Sequence, residues 1–249
     1  MAPYERRSRN IWNTRNLRSH RSEQPLDKIW LLKGQQGPLF KSLEQKIHEN
    51  GISHSYVPIE RLERFSRENH QGAVARIAPI QFQSLEELIE KNIDQKSTYL
   101  LLDGITDTRN LGAILRTASA TGVTGVVLPQ TGSAPINANT VKASAGGIFS
   151  VPLVKVNHLK DAIYMLQAAE IKIVAVTEKT DQTLFENNFD SSVALIMGSE
   201  ERGIHPSLVK LSNEKVILPM NENIGSLNVS VACGVVLYEI QRQRHHNSK

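Results

Sequence analysis

The chain has 249 residues, enough for one large domain or for a small and a medium-sized one. Hydrophobic residues make up 40% of it, which permits a sizeable core, and aromatic residues 5%, which argues against a base-stacking platform as the main means of binding. The net charge of +4 suits an anionic partner. The single cysteine, Cys233, excludes a disulfide framework within the chain and is expected to be a small core residue.

Neither a signal peptide nor a membrane span is expected. The arginine-rich start lacks the apolar segment of a signal peptide, and no apolar run approaches the roughly 20 residues of a spanning helix. The sequence therefore predicts a cytoplasmic protein without membrane association.

Positive charge is concentrated at the two ends of the chain. Six arginines and one acidic residue lie between Tyr4 and Arg21. Residues 1–26 are therefore expected to form a flexible basic arm. Two interpretations of this arm remain open: a solvated, disordered end, or a segment that becomes ordered on binding RNA.

Residues 27–80 are predicted to form a small α/β domain. Leu39, Leu43 and Ile47 recur at helical spacing, and Gly51 follows at the point where a helix would end. The predicted strands are 29–32, 55–57 and 73–80, and the predicted helices are 38–50 and 60–67. The charged residues 81–97 indicate a linker that contains a short helix at 85–91.

From residue 98 to the end, short apolar runs alternate with helical patterns, which predicts an α/β domain with a mostly parallel sheet. Strands are predicted at 99–102, 125–128, 151–156, 171–177, 193–197 and 215–218. Helices are predicted at 110–121, 137–145, 159–169, 206–211 and 227–242. The last helix is apolar on more than one side, which is typical of a deep core position or a subunit interface.

Three polar strings each follow one of these predicted strands. They occupy residues 103–110, 198–203 and 221–228. In an open α/β sheet, ligands bind outside the carboxyl ends of the strands. We therefore expect the three strings to meet at one edge of the sheet and to form a site.

The glycines of the second string have two interpretations. Gly198 and Gly203 can form a tight turn, or Gly198 can let the backbone approach a flat ligand. The string lacks the Lys-Ser/Thr pair of a phosphate-binding P-loop, so nucleotide hydrolysis is disfavoured.

The polar side chains are also open to two interpretations. Asn110 can be a cap or first-turn residue of its helix, or it can have a function in the site. Ser226 and Asn228 can cap the last helix, or they can orient a hydroxyl. Arg116 lies in an otherwise apolar helix, either on a solvated face or held there for a function. None of the eight scattered histidines has zinc-ligand spacing with the single cysteine, so no metal is expected. A pocket with neither nucleophile nor metal suits direct transfer between two bound substrates.

The three strings resemble the motifs of the SpoU (TrmH-type) RNA 2′-O-ribose methyltransferases of the SPOUT superfamily. The matching segments are LDGITDTRNLGAILRTA (102–118), IMGSEERGI (196–204), and LPM followed by SLNVSVA (218–232). The segment HQGAVARI (70–77) resembles the ribosomal-protein-like substrate domain of the RlmB branch of that family.

This resemblance implies a fold and a set of partners. The fold is a C-terminal SPOUT domain over 98–249, which has a parallel sheet and a backbone that forms a trefoil knot. The substrate-binding domain precedes it in the sequence. The partners are S-adenosylmethionine as methyl donor, a second copy in a homodimer with the site near its interface, and RNA. Ribosomal RNA is favoured over tRNA as the substrate, and a guanosine in 23S rRNA is the leading candidate. Neither DNA nor a metal is expected as a partner.

The resemblance also implies roles for individual residues. Gly198, Leu218 and Leu227 would hold the methyl donor, and the catalytic positions fall on Asn110, Arg116, Glu200, Ser226 and Asn228. Arginine stays protonated in proteins, so Arg116 is expected to stabilise a developing alkoxide and to clamp a phosphate. Asn228 and Ser226 would orient the hydroxyl and the donor, and Glu200 would fix its loop or a partner arginine.

Other functions remain possible from the sequence. One is methylation of tRNA, and another is a non-catalytic, dimeric RNA-binding protein. A nicotinamide oxidoreductase is disfavoured because the chain lacks the G-x-G-x-x-G fingerprint.

Overall fold

The computed structural model describes residues 11–13, 26–65, 70–77, 80–221 and 225–246. The chain divides into two compact units, Met1–Ile80 and Gln81–Lys249. Within the described residues, no helix is both long and apolar enough to cross a membrane.

The described residues of the first unit form a four-stranded mixed sheet and two helices. Its strands are Ile11–Asn13 (β1), Leu26–Leu32 (β2), His54–Val57 (β3) and Ala73–Ile77 (β4), and its helices are Pro38–Glu49 (α1) and Ile59–Glu63 (α2). The spatial order is β1-β4-β2-β3. β2 is parallel to β3, and β4 is antiparallel to β1 and β2.

A small core holds this unit together. Trp30, Val57, Leu62 and Val74 are buried together, and the rings of Trp30 and Phe65 stack with 4.4 Å between their centroids. Side chains from three strands and from α2 thus form one apolar layer, as expected for an α/β unit of this size.

The expectation of a flexible arm over 1–26 differs from the structure. Residues 11–13 form the edge strand β1, and Leu26 already belongs to β2. Backbone pairing with β4, which the local sequence does not encode, accounts for the difference. Residues 1–10 and 14–25 lie outside the described residues.

The second unit contains a six-stranded sheet in which every pair of neighbouring strands is parallel. The strands are Thr98–Leu102 (β5), Gly125–Pro129 (β6), Leu153–Val156 (β7), Lys172–Val176 (β8), Val193–Met197 (β9) and Glu214–Val216 (β10). The helices are Leu85–Lys91 (α3), Thr108–Ala120 (α4), Ala138–Ala143 (α5), Leu159–Ala168 (α6), Pro206–Val209 (α7) and Val229–His246 (α8). The spatial order is β10-β8-β9-β5-β6-β7. The predicted α/β class with a mostly parallel sheet is confirmed for this unit.

Both faces of this sheet are buried. α3, α6 and α7 pack on one face, against alternate strand residues such as Tyr99, Ile173 and Ile196. The intervening strand residues are buried as well, and α4 packs against α8. Burial on both sides explains why β5 and β9 are continuous apolar runs without alternation.

The linker expected over 81–97 is wrong in one respect. Leu85, Leu88 and Ile89 lie on one side of α3 and are buried in the core of the second unit. The spacing i, i+3, i+4 gives this helix an apolar stripe that must be covered. The segment is therefore part of the second unit and does not act as a spacer.

Two predicted helix boundaries moved for identifiable reasons. α4 begins at Thr108, two residues before the predicted start, because the Asp107 side chain caps it by accepting from the backbone N–H of Arg109. α8 continues to His246, four residues beyond the predicted end. Arg244 in its last turn donates to backbone carbonyls at the amino ends of the strands, which fixes the extension.

Candidate active site

The site lies where the order of the sheet strands changes direction. From β5 the chain continues to β6 and β7 on one side of the sheet. β9 is the other neighbour of β5, and from β9 the chain continues past β8 to β10 at the opposite edge. The loops after β5 and β9 therefore start side by side and continue in opposite directions. A crevice at the carboxyl ends of the strands opens at such a point, and ligands bind there in α/β folds.

Hydrogen bonds join these two loops. The N–H of Asp103 donates to the carbonyl oxygen of Met197 at 2.9 Å, and Oδ2 of Asp103 accepts from the N–H of His205 at 2.7 Å. The second loop closes on itself where Gly203 N–H donates to Ser199 O at 2.9 Å. Asp103 was not among the predicted site residues, yet it fixes one loop to the other.

Gly198 is required by close backbone packing. A Cβ at this position would lie 2.1 Å from the carbonyl carbon of Gly203 and 2.3 Å from the nitrogen of Ile204. Because both atoms belong to the backbone, no side-chain rearrangement relieves the clash. The tight-turn interpretation of this glycine is therefore supported by the geometry of the loop.

Glu200 gathers residues from all three polar strings. Its Oε1 accepts from Nδ2 of Asn110 at 3.0 Å, from Nδ2 of Asn228 at 2.6 Å and from the N–H of Val229 at 3.2 Å. Nδ2 of Asn228 also donates to Oδ1 of Asn110 at 3.0 Å. The expected meeting of the three strings is thus observed for one residue from each.

Asn228 caps α8, and its side chain also joins the polar cluster. Its Oδ1 accepts from the N–H and the hydroxyl of Ser230 at 3.0 and 2.5 Å, which caps α8. Its amide nitrogen faces the opposite way, toward Glu200 and Asn110. The Glu200 carboxylate also lies at the amino end of α8, where the helix dipole favours negative charge.

Asn110 is a first-turn residue and not the cap of its helix. Asp107 caps α4, and the Arg109 guanidinium and N–H, which both donate to Asp107, hold the pKa of that carboxyl below its usual value. The Asn110 side chain is consequently free to reach Glu200. The first-turn interpretation of Asn110 is therefore observed, and its functional role stays a prediction.

Arg116 lies apart from this cluster. It follows Asn110 by six residues on α4, which places it roughly 120° around the helix and about 9 Å along it. Its side chain is exposed. No described residue forms a hydrogen bond or an ion pair with its guanidinium, so the solvated-face and functional interpretations both stand.

The remaining predicted residues flank the cluster without bonding to it. Ser226 is exposed and forms no hydrogen bond with any described residue, and Leu227 beside it is half-buried. Leu218, just after the edge strand β10, is buried at 8% exposure. Residues 222–224, between these points, lie outside the described residues. In the described part of the chain, no three His, Cys, Asp or Glu side chains are grouped closely enough to hold a metal ion.

Comparison with solved structures identifies the class of fold. The SpoU methyltransferase AviRb from Streptomyces viridochromogenes, in complex with the cofactor AdoMet, superimposes with a TM-score of 0.79 over 96% of this chain and 92% of that chain, at 21% identity. At that identity the likeness shows a shared fold, that of a SpoU-type methyltransferase.

Sequence comparison defines the family. The model of the SpoU rRNA methylase family matches residues 97–238, and that of RNA 2′-O ribose methyltransferase substrate binding matches residues 16–83. The 23S rRNA (guanosine-2′-O-)-methyltransferase RlmB of Escherichia coli K12 is 36% identical over 228 residues, covering 90% of this chain and 93% of the relative. The protein of the same name from Pasteurella multocida is 34% identical over 247 residues, covering 95% and 99%. The chain therefore belongs to the SpoU rRNA methylase family, which confirms the resemblance seen in the sequence.

Proposed function

We propose that the protein is an S-adenosylmethionine-dependent 2′-O-methyltransferase that modifies the ribose of a guanosine in 23S rRNA. The cluster of Asn110, Glu200 and Asn228 at the change of strand order is the observation that carries this proposal. It joins the family's three motifs at the place where α/β folds bind ligands. The names of the relatives from Escherichia coli and Pasteurella multocida supply the substrate. With this substrate the protein would act in the cytoplasm, where ribosomes are assembled.

The residues assigned to the methyl donor fit a flat, partly apolar ligand. Leu218 and Leu227 offer apolar walls, and among the described residues their backbone N–H groups have no hydrogen-bond partner. These groups would hold the adenine, with the loop that starts at Gly198 beside it. When bound, S-adenosylmethionine supplies an electrophilic methyl group carried on a sulfonium. The residues therefore fit the donor, and no metal is needed in the proposal.

The chain's own residues would prepare the ribose hydroxyl. Oε2 of Glu200 accepts no hydrogen bond from any described residue, so it is available to accept one from a ribose hydroxyl. Arg116 remains cationic and would stabilise negative charge that develops on the 2′ oxygen while it binds a phosphate. Ser226 and Asn228 would orient the hydroxyl, and Glu200 with Asn110 keeps Asn228 in place.

We also propose that the protein is a homodimer formed through α8. Val231, Val235 and Tyr238 form one stripe on this helix, with exposures of 53%, 39% and 59%. A helix in a monomer rarely leaves such a stripe in water. Val235→Glu is expected to give monomers in sedimentation, whereas Ile93→Glu, a change at another exposed apolar residue, is expected to leave the dimer intact.

The trefoil knot is a further part of the proposal. Ile217, directly after β10, pairs with Thr183 in the connection between β8 and β9. At the far end of α8, Arg244 donates to Phe189 and Ser191 of the same connection. The last segment thus contacts this connection before and after it passes Glu200, as a chain threaded through a loop would. A crystal structure in which the backbone path is topologically unknotted would refute this part of the proposal.

The decisive experiment uses radiolabelled S-adenosylmethionine and total RNA from cells that lack the protein. Label is expected at a ribose 2′ oxygen of one guanosine in 23S rRNA, located by digestion and mapping. Label in tRNA would keep the reaction and refute the substrate. No label, with the donor bound normally, would favour the non-catalytic RNA-binding alternative.

Arg116→Ala provides the matched test of the site. Methyl transfer is expected to be lost while binding of the donor is retained, because the side chain would act on the RNA. Arg109→Ala, which removes an exposed arginine from the same helix, serves as the control. Near-normal turnover in Arg116→Ala would refute the role.

A further inference from the structure

A small cavity lies in the first unit, between the loop that joins β2 to α1 and the turn before β4. Its volume is about 210 Å³. Three glutamine side chains, Gln35, Gln36 and Gln71, line it together with the apolar side chains Leu39, Phe40 and Leu43. Pockets for drug-sized ligands span roughly 300–1,000 Å³, so this cavity suits one small chemical group.

The lining is suited to a nucleobase. A carboxamide carries both a donor and an acceptor, and the edge of a base presents the same pair of functions. Leu39 and Phe40 offer apolar surface against which the face of a base can pack. No carboxylate lines the cavity, so it offers nothing specific to a cation.

One of the amides lies against the turn before β4. Nε2 of Gln35 donates to the carbonyl oxygen of Gln71 at 3.4 Å. Gly72 has φ +83°, and a Cβ there would lie 1.9 Å from Oε1 of Gln35, so an alanine would push the end of this side chain aside. Nδ1 of His70 accepts from the N–H of Gly72 at 3.1 Å. Between them, Gln71 has φ +47°, in the left-handed region that residues with a side chain seldom adopt. A strained turn of this kind commonly marks a functional position.

The surroundings favour a polyanion. Residues 33–43 contain two lysines, Lys33 and Lys41, both exposed, and no acidic residue. α1 begins at the cavity without an acidic residue in its first turn. A base that enters the cavity would thus carry its phosphate into a positive environment.

We propose that this cavity binds one unpaired nucleobase of the substrate RNA and so helps to select the RNA independently of the methylation site. The inference rests on the proposed function, because it takes RNA to be the substrate. The assigned ligand is an extruded base in a single-stranded loop or bulge, where base edges are accessible.

The test compares two oligonucleotides of equal charge on the full-length protein. One is a single-stranded 12-nucleotide RNA of mixed sequence, and the other is an abasic strand of the same length. Gln35→Leu is expected to lower the affinity for the base-bearing strand about three- to tenfold, the range for one or two hydrogen bonds, and to leave the affinity for the abasic strand unchanged. Gly72→Ala is expected to act in the same direction, because it displaces the Gln35 side chain.

Gln45→Leu is the matched control, since Gln45 is an exposed glutamine on α1 that does not line the cavity. Equal affinity of Gln35→Leu and the unmodified protein for the base-bearing strand would overturn the proposal. So would a Gln35→Leu defect that is confined to ribosomal particles and absent on bare RNA, because the occupant would then be a protein segment.

Methyl transfer to 23S rRNA, measured on the same samples, separates this proposal from the proposed function. Transfer without a Gln35 effect refutes the cavity alone. A Gln35 effect without transfer refutes the methyltransferase alone.

Discussion

Removal of the Glu200 carboxylate should disconnect the loops that form the site. One oxygen of this side chain joins Asn110, Asn228 and the N–H of Val229. Glu200→Ala removes all three hydrogen bonds. Glu200→Gln keeps an acceptor oxygen in nearly the same place and removes the negative charge.

The magnitude follows from the number and exposure of these bonds. A hydrogen bond contributes about 0.5–1.5 kcal/mol net to stability, and Glu200 is exposed, which favours the lower end of that range. Three bonds then stabilise the assembled site by about 1.5 kcal/mol, which corresponds to roughly tenfold in an equilibrium constant. Loss of charge at the amino end of α8 alone costs about 0.3–1 kcal/mol. We therefore expect kcat/KM for RNA to fall about tenfold or more in Glu200→Ala and about threefold in Glu200→Gln.

Initial rates of methyl transfer at varied RNA concentration give these values, and urea unfolding of the same samples reports global stability. Glu201→Ala is the control, because Glu201 is adjacent, equally charged and exposed, and is bonded to no described residue. Equal kcat/KM for Glu200→Ala and Glu201→Ala would refute the argument. A Glu200→Gln defect as large as that of Glu200→Ala would show that charge matters and the hydrogen bonds do not.

Three further predictions concern packing and burial. Gly198→Ala is expected to weaken binding of S-adenosylmethionine at least tenfold in calorimetry, because its Cβ must displace the backbone of Gly203. Gly225→Ala is the control and should bind S-adenosylmethionine normally, because a Cβ there meets open space. Arg244→Ala should lower the free energy of unfolding in urea by about 2–4 kcal/mol, because all five guanidinium N–H groups donate to residues 96–98 and 189–191; a change below about 0.5 kcal/mol would contradict this role. Burial raises the pKa of the Cys233 thiol to about 12. The folded protein therefore keeps the thiol proton at pH values where the unfolded chain loses it, so the free energy of unfolding falls as the pH rises beyond about 9. A thiol reagent at pH 8 should label Cys233 only at the rate of unfolding. Immediate labelling of the folded protein would refute the burial of this side chain.

Local sequence was sufficient for the elements of the large unit. α3 and β9 have the predicted bounds, because an apolar stripe at helical spacing and a run buried on both faces are both encoded in neighbouring residues. The resemblance to the SpoU family likewise rested on contiguous strings, and the family comparison confirmed it. The assignment of catalytic and donor-binding roles within those strings stays a prediction.

Tertiary structure decided how these elements and side chains meet. The position of β9 beside β5, the bond from His205 to Asp103 and the five bonds of Arg244 all join residues about 50 or more positions apart. Such long-range strand pairing and hydrogen bonding depends on which polar groups are still without a partner once the chain is compact. A local sequence pattern does not predict it. For the same reason the sequence left Asn228 open between a cap and a site residue. Only the folded chain, which places Glu200 at the amino end of α8, shows that the oxygen of Asn228 caps the helix while its nitrogen donates to the carboxylate. The role of Asn228 toward a substrate stays a prediction.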